Sequence, residues 1–454
     1  MAKEQYIAVI DLETSRFTGV VAKKEQNGFI DILAHVSENA LDSMRHGKIV
    51  KTKEATGLIK KLVSKLKNAL LQTAELKGKE FEIKKLYFGV NCQSLKSIEV
   101  TESIAIPNKS FVTTDDVESL LAQCAGNMSE DYIPLDMLPP TYYADNKPVK
   151  DPKGLECNRL KANFRLIAAL PYVRSTIEHV AKGAGYELAQ ILASPVALAE
   201  ALTDKSERET GCIFVDFGRY VTSVVVFRDG EVLNLGVVPF GYSLIISDLA
   251  EGFDMKDSKD AEQLLFAYAN CSEHRSDDAA KTPDYIVNSR KYNSITTDLI
   301  ATARAKEIIA NAKSIAGQTL TDGIVRITGQ LSDAKGISKL TASIFGLEVG
   351  QTDIPAEWGN YDRDEFAAIS LLTRAKDNCL TVEMPPEPDP PIDGQPNPDN
   401  SPDDPDEPVN PIASLLKFFS KNKDKPKKEK EKGDSIGKKF GNFVTDMASI
   451  AFEE

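Results

Sequence analysis

The sequence predicts an α/β protein made of two similar lobes, with a small α+β subdomain inserted in the first lobe and a disordered C-terminal tail. Three observations lead to this prediction. Two hairpin patterns, each carrying an aspartate, occur around Asp11 and Asp216. A block of different character, residues 81–170, follows the first pattern, and the composition changes abruptly at Thr381.

The hairpin pattern is clearest in residues 211–227, which read GCIFVDFGRYVTSVVVF. An apolar run, a carboxylate followed by a glycine, and a second β-branched run predict a strand, a tight turn and a returning strand. Successive backbone N–H groups in such a turn can bind a phosphate, while Asp216 holds Mg²⁺ or its waters. An ordinary hairpin in which Asp216 only caps the turn is the simpler explanation of this segment taken alone.

Two further motifs accompany this hairpin. Residues 6–22, YIAVIDLETSRFTGVVA, repeat the pattern with Asp11, and residues 323–336, GIVRITGQLSDAKG, give a strand that ends in Thr-Gly before a helix. In this order the motifs resemble those of the actin, sugar-kinase and heat-shock-chaperone ATPase superfamily. The resemblance implies an actin-like fold that binds ATP and Mg²⁺ between its lobes, with Asp11 and Asp216 as metal ligands. The cofactor-binding residues that it implies are Asp11, Thr14, Ser15, Asp216, Gly218, Thr222, Glu262 and Gly329.

The inserted block narrows the resemblance further. Its pattern predicts one helix packed on about three strands, which is a small α+β unit. In position it is similar to the subdomain called 1C in the family of the bacterial cell-division protein FtsA. The other segments that resemble this family are residues 43–47 (SMRHG), 113–118 (TTDDVE), 151–155 (DPKGL), 193–199 (ASPVALA) and 229–241 (DGEVLNLGVVPFG).

The resemblance implies a division of the chain into seven parts. These are residues 1–80 (first part of lobe 1, subdomain 1A), 81–170 (the 1C-type subdomain), 171–205 (second part of lobe 1), 206–360 (lobe 2, subdomains 2A and 2B), 361–378 (closing helix of lobe 1), 379–433 (tether) and 434–454 (amphipathic helix). In FtsA, subdomain 2B receives the C-terminal peptide of FtsZ, so we expect the partner site within residues 268–309.

The nucleotide motifs depart from the superfamily pattern at several positions. Arg219 and Tyr220 stand where the second phosphate loop has glycines, Gln330 replaces a glycine of the adenosine motif, and Leu265 replaces a lysine. Glycine lets the backbone approach phosphate oxygens closely, so bulky residues should narrow the pocket. Arg219 could instead offer its charge to a phosphate. We therefore expect nucleotide binding without efficient hydrolysis, and we identify no catalytic residue, since Glu13 reads as a solvated turn acid.

The net charge and the cysteine content argue against nucleic-acid binding and against a zinc site. The net charge is −13, so there is no overall positive field to attract a nucleic-acid backbone, and we expect no nucleic-acid partner. The 6 cysteines are widely spread and form no CxxC pair, which is typical of buried cysteines in a cytosolic protein and suggests no zinc site.

The C-terminal region predicts a membrane anchor on a tether. Residues 383–409 are rich in proline and acids and contain no lysine or arginine, so we expect them to be disordered. An apolar island of unassigned role (residues 410–419) and a lysine-rich run (421–432) follow. The last 21 residues, 434–454, carry one apolar stripe, which is typical of a helix lying on an anionic membrane surface. A helix docked on its own domain or on a partner is the alternative. The stripe consists of Ile436, Phe440, Phe443, Val444, Met447 and Ile450.

The resemblance and the tail together imply a cell-division adaptor of the FtsA type. Such a protein self-associates into filaments, binds FtsZ and other division proteins, and lies peripherally on the inner face of the cytoplasmic membrane at the division site. Two alternatives remain open from the sequence. One is a pilus-assembly actin homologue that binds the cytoplasmic peptide of a membrane protein, and the other is a small-molecule kinase of the same superfamily.

Overall fold

A computed structural model describes residues 5–383 apart from residues 26–27, 41, 108–109, 127–130, 273–282 and 318–321. The predicted tether beyond residue 383 and the amphipathic helix therefore lie outside the described residues. So do all six residues of its apolar stripe, which are Ile436, Phe440, Phe443, Val444, Met447 and Ile450.

The chain forms strands and helices in the following order. The first half contains β1 (Gln5–Leu12), β2 (Arg16–Lys24), β3 (Ile30–Asn39), β4 (Met44–Arg45), β5 (Lys48–Ile49), α1 (Thr52–Leu70), β6 (Glu80–Ile83), β7 (Lys85–Val90), β8 (Lys96–Ala105), α2 (Thr114–Gly126), β9 (Ile133–Met137), β10 (Thr141–Ala144), β11 (Lys147–Val149), β12 (Arg159–Ala169), α3 (Pro171–Ala184), β13 (Glu187–Ala193) and α4 (Ser194–Leu202). The second half contains α5 (Lys205–Thr210), β14 (Cys212–Phe217), β15 (Thr222–Arg228), β16 (Glu231–Val238), α6 (Ser243–Gly252), α7 (Ser258–Gln263), β17 (Tyr285–Val287), β18 (Arg290–Tyr292), α8 (Ser294–Ala316), β19 (Ile324–Thr328), α9 (Ile337–Phe345), β20 (Glu348–Gln351), α10 (Phe366–Arg374) and β21 (Leu380–Glu383).

The two lobes repeat one sheet topology. The sheet of lobe 1 has the order β13-β7-β1-β2-β3, and the sheet of lobe 2 has the matching order β20-β19-β14-β15-β16. In each lobe the strand with the aspartate pairs antiparallel with the next strand and parallel with a strand from later in the chain. The predicted two-lobed, actin-like α/β fold is confirmed.

Apolar strands and amphipathic helices form the cores of the lobes, and one face of β14, β15 and β16 joins the hydrophobic cluster of lobe 1. Residues 6–10 of β1 are all buried, as expected for a central strand covered on both faces. Helix α1 places Ile59, Leu62 and Leu66 on one buried face. At Gly19 in β2 a Cβ atom would collide with Leu62 and Leu66, so glycine lets this helix pack directly on the sheet.

The inserted subdomain has a separate sheet and a separate core. Its strands have the order β11-β10-β12-β8, and β9 also pairs with β12. Helix α2 covers this sheet with Val117 and Leu120, which pack with Phe164 in one hydrophobic cluster. The sheet has five strands where the sequence predicted about three, and residues 133–149 supply three of them, β9, β10 and β11.

Two predicted domain boundaries were wrong. The subdomain was expected to begin at residue 81, but β7 belongs to the sheet of lobe 1, where it pairs parallel with β1. The tether was expected to begin at residue 379, but Leu380–Glu383 forms β21, which pairs antiparallel with β6. The backbone N–H of Cys379 also donates to the carbonyl of Tyr6 at 2.7 Å. A strand of four residues is too short to stand out against the acidic composition that follows it.

A buried ion cluster joins the inserted subdomain to lobe 1. Arg374 at the end of α10 contacts Asp136 in β9 at 2.6 Å and Glu200 in α4 at 2.9 Å. Asp136 is 1% exposed and also accepts a hydrogen bond from Gln190 at 3.0 Å. The guanidinium therefore holds three elements together.

In the described part of the chain, no helix is both long enough and apolar enough to cross a membrane.

This cluster predicts a large stability effect. Replacement of Asp136 by alanine should lower the free energy of unfolding by about 3–5 kcal/mol, because it leaves the Arg374 guanidinium buried with fewer partners. Urea unfolding measures the change. The matched control is Asp322→Ala, which removes the solvent-exposed partner of Arg228 and should change stability little. Equal small losses in both variants would contradict the assignment.

Candidate functional site

A cleft of about 970 Å³ lies between the lobes. The turn after β1, the turn after β14, the segment after β19 and the segment before α10 all contribute to its wall. The lining residues from these four segments are Glu13, Thr14, Ser15, Arg16, Asp216, Gly218, Arg219, Tyr220, Val221, Thr328, Gly329, Gln330, Asp333, Asp362, Arg363 and Asp364. The three sequence motifs predicted to bind nucleotide therefore meet at one place.

The predicted cofactor-binding residues divide into two groups. Five of them line the cleft, and these are Thr14, Ser15, Asp216, Gly218 and Gly329. The other three lie outside its lining. Asp11 is only 1% exposed, Thr222 is buried and donates its hydroxyl to the carbonyl of Phe240 at 2.9 Å, and Glu262 pairs with Arg219.

Carboxylates crowd one side of the cleft. Burial raises the pKa of Asp11 to about 6, although a hydrogen bond from the Ser194 hydroxyl opposes the rise. Burial, together with the negative charges of Asp11 and Asp364, raises the pKa of Asp216 to about 6 as well. The same causes hold the pKa of Glu13 well above its usual range. A cation near these groups would relieve their repulsion.

These acids do not form a complete metal cage. Within the described residues, no group of three or more His, Cys, Asp or Glu side chains is arranged to hold a metal ion. Asp11 and Asp216 remain two carboxylates, one from each lobe, and of the two only Asp216 lines the cleft. Mg²⁺ in nucleotide sites is commonly bound by one or two carboxylates together with phosphate oxygens and water, so such a pair suits an ion that arrives with a ligand.

The segment at residues 43–47 supports the first turn, a role that sequence reasoning missed. The backbone N–H of Gly47 donates to the Thr14 hydroxyl at 2.8 Å. Gly47 has φ +75°, and a Cβ atom there would collide with the backbone of Asn91. The His-Gly pair in the sequence was the available signal, because glycine is needed at such a φ.

The residues that depart from the superfamily pattern lie in three places, which are the second turn, the segment after β19 and the segment after α7. Arg219 donates two hydrogen bonds to Glu262, at 2.7 and 3.3 Å. The Tyr242 hydroxyl donates to Gln330 at 2.5 Å. Leu265, at the position of the expected lysine, is fully buried in the core of lobe 2. The polar residues of this region are thus partnered within the protein.

Direct contacts connect the lobes around the cleft. Asn91 at the end of β7 and Ser223 in β15 exchange hydrogen bonds of 2.8 and 3.0 Å. On another side, Arg363 contacts Asp333 at 2.5 Å. These polar contacts set the relative position of the two hairpin turns.

Family comparison agrees with this architecture. A family model described as "SHS2 domain inserted in FTSA" matches residues 92–168, and one described as "Cell division protein FtsA" matches residues 213–368. Together the two matches cover about half of the chain. The chain belongs to the FtsA family of cell-division proteins. The first match coincides with the inserted subdomain, and it supports FtsA over the kinase and pilus-assembly alternatives.

Individual FtsA proteins are similar along most of the chain. The FtsA of Porphyromonas gingivalis is 28% identical over 387 residues, which are 82% of this chain and 78% of that protein. The FtsA of Bacillus subtilis is 23% identical over 83% of this chain and 84% of that protein.

Solved structures resemble the chain more distantly. A PilM-PilN type IV pilus biogenesis complex has 13% identity and a TM-score of 0.49, covering 80% of this chain and 94% of that one. MreB5 of Spiroplasma citri bound to ADP has 12% identity and a TM-score of 0.47, covering 81% of this chain and 95% of that one.

Gly329 provides a test of the cleft geometry. Its φ is +81°, and a Cβ atom would lie 2.5 Å from the Phe217 carbonyl oxygen and 2.8 Å from the Asp216 carboxylate. Gly346 has φ +74° with no atom near a Cβ. Urea unfolding should therefore show a loss of about 1–2 kcal/mol for Gly346→Ala, from backbone strain. Gly329→Ala should lose about 1–3 kcal/mol more, from the clash and from its ψ of 164°, which with a positive φ only glycine readily adopts. Equal losses would show that the hairpin and Gly329 are not in close contact.

Proposed function

We propose that this FtsA-family protein is an adaptor that binds the FtsZ ring, self-associates and attaches to the inner face of the cytoplasmic membrane at the division site. The observation that carries the proposal is the combination of two FtsA family matches with an acid-lined cleft between two repeated lobes. Other division proteins are expected partners of the same assembly.

We propose ATP with Mg²⁺ as the ligand of the cleft. The backbone approaches closely at Gly218 and Gly329, where a Cβ atom would meet neighbouring atoms at 2.8 and 2.5 Å. Both glycines line the cleft, and a backbone without a Cβ atom lets phosphate oxygens approach its N–H groups. Asp11 and Asp216 would hold the Mg²⁺, which supplies positive charge to the phosphates. The residues present therefore fit the nucleotide, although Arg219 and Tyr220 in the second turn argue against efficient hydrolysis.

The FtsZ peptide requires an exposed surface in lobe 2. Within residues 268–309, Ile286 in β17 is 52% exposed, and Ile295 and Leu299 in the first turns of α8 are 36% and 60% exposed. Ile295 and Leu299 are four residues apart, so they share one helix face. We propose that apolar side chains of the FtsZ C-terminal peptide pack against this face.

Membrane attachment is assigned to the C-terminal helix. Its apolar stripe would enter the headgroup region, and the lysines of residues 421–432 would attract anionic lipid by about 1 kcal/mol each. The described body ends at β21, which is paired to lobe 1, so the tail leaves the body from a fixed point. This arrangement supports a membrane anchor in which the length of the tether limits the distance between the folded body and the membrane surface.

The peptide site predicts a position-specific loss. In Leu299→Asp, a charge replaces an apolar contact, so affinity for a labelled FtsZ C-terminal peptide should fall at least tenfold in fluorescence anisotropy. Leu71→Asp is the matched control, because Leu71 is 45% exposed and follows α1 in lobe 1. It should bind as the wild type does. Unchanged affinity in Leu299→Asp would exclude this helix face.

The anchor predicts a face-specific loss. Phe440→Glu in the full-length protein should abolish flotation with vesicles of anionic lipid, because a charge enters the centre of the apolar stripe. Ser449→Glu adds the same charge on the opposite helix face and should leave flotation close to that of the wild type. Equal flotation of both variants would mean that the stripe does not enter the membrane.

A further inference from the structure

The turn between β14 and β15 contains an arginine with an unusual position. Arg219 lies in the proposed phosphate turn, lines the cleft and reaches Glu262 on α7 with two parallel hydrogen bonds. Its guanidinium also lies 5.9 Å from the ring centre of Tyr220 and 5.6 Å from that of Tyr242. Two aromatic rings and one carboxylate thus hold the guanidinium in a defined place.

The charge balance of the cleft makes this arginine important. Among the residues described as lining the cleft, the cationic side chains are Arg16, Arg219 and Arg363. Arg16 is paired with Asp364 at 2.6 Å, and Arg363 with Asp333 at 2.5 Å. All three cations are therefore paired with protein carboxylates, and Arg219 is the one in the turn between β14 and β15.

Arg219 can exchange its partner Glu262 for a phosphate group. Its side chains are 32% and 26% exposed, so water reaches both partners and the net stabilisation of the pair is modest. The planar guanidinium binds a phosphate with the same forked geometry as a carboxylate, and a phosphate carries more charge. A phosphate entering the cleft would compete directly with Glu262.

We propose that Arg219 is a phosphate-binding residue that Glu262 holds in reserve until a nucleoside di- or triphosphate enters the cleft. The guanidinium then transfers from the carboxylate to the phosphate, replacing the glycine backbone contacts that this turn lacks. Glu262 thereby weakens nucleotide binding, since each binding event must break the pair. This inference rests on the proposed nucleotide binding and names the residue pair that sets its strength.

Isothermal titration of the full-length protein with Mg·ATP tests the exchange. Glu262→Gln should tighten binding by about three- to tenfold, because the competing charge is gone. Arg219→Gln should weaken binding by at least tenfold. In the double variant, the gain from Glu262→Gln should disappear. The matched control is Asp248→Asn, which loosens the bidentate pair with Arg304, 29% exposed on both sides, and should leave ATP affinity unchanged.

The outcomes separate this proposal from nucleotide binding itself. If the wild type binds ATP but Glu262→Gln binds it equally well or more weakly, the exchange is overturned while nucleotide binding stands. Glu262 would then either contact the ligand or have a purely structural role. Unchanged affinity in Arg219→Gln overturns it too. Binding by Glu262→Gln but not by the wild type supports the exchange and shows that the pair closes the site. Absence of binding in every variant overturns both proposals. Arg219→Lys keeps the positive charge but cannot form two parallel hydrogen bonds, so it should bind ATP with intermediate affinity. This variant shows whether weak binding by Arg219→Gln comes from the lost guanidinium or from misfolding.

Discussion

The structure depends on one repeated arrangement, an aspartate at the end of a strand that has an antiparallel neighbour on one side and a parallel neighbour on the other. Asp11 lies opposite Thr18 of β2 and Gly89 of β7. Asp216 lies opposite Ser223 of β15 and Thr328 of β19. Because the carboxyl ends of parallel strands meet at one edge of a sheet, each lobe presents its acid at the edge that faces the other lobe. The charge of Asp11 raises the pKa of Asp216, burial raises the pKa of both acids, and a cation near them would relieve that cost.

The local parts of this arrangement could be predicted from the sequence, because a strand, an acid and a turn occupy consecutive positions. The two-lobed fold, the inserted subdomain and the meeting of three motifs at one cleft followed from that pattern and from the family resemblance. The partners of the acids could not be predicted. Ser194 bonds to Asp11 across 183 residues, and Glu262 reaches Arg219 across 43. Such pairs depend on how helices pack on sheets, and a local sequence pattern does not predict that packing. The short strand β21 was missed for a different reason. Its four residues pair with a distant strand, and they directly precede an acidic, proline-rich segment whose composition is typical of disorder.

The cleft is connected to the rest of the protein by identifiable contacts. In the inserted subdomain, Arg165 donates to the Leu233 carbonyl of β16 at 3.0 Å, so this subdomain contacts lobe 2 as well as lobe 1. Helix α7 carries Glu262, which pairs with the cleft-lining Arg219, and Asp260, which accepts a hydrogen bond from Asn288 in the hairpin of β17 and β18 at 2.6 Å. The proposed nucleotide site and the hairpin beside the proposed peptide face are thus separated by one short helix. A ligand that draws the lobes together would act on elements that also position the partner surface.

The central claim is that acids from two lobes serve one ligand. Calorimetric titration of Mg·ATP into Asp11→Asn and into Asp216→Asn tests it most directly, since asparagine keeps the side-chain shape and removes one charge. Melting temperatures of both variants establish that they fold. We predict that each substitution alone weakens Mg·ATP binding at least tenfold. Wild-type affinity in either variant would show that the two aspartates do not share a ligand and would contradict the account.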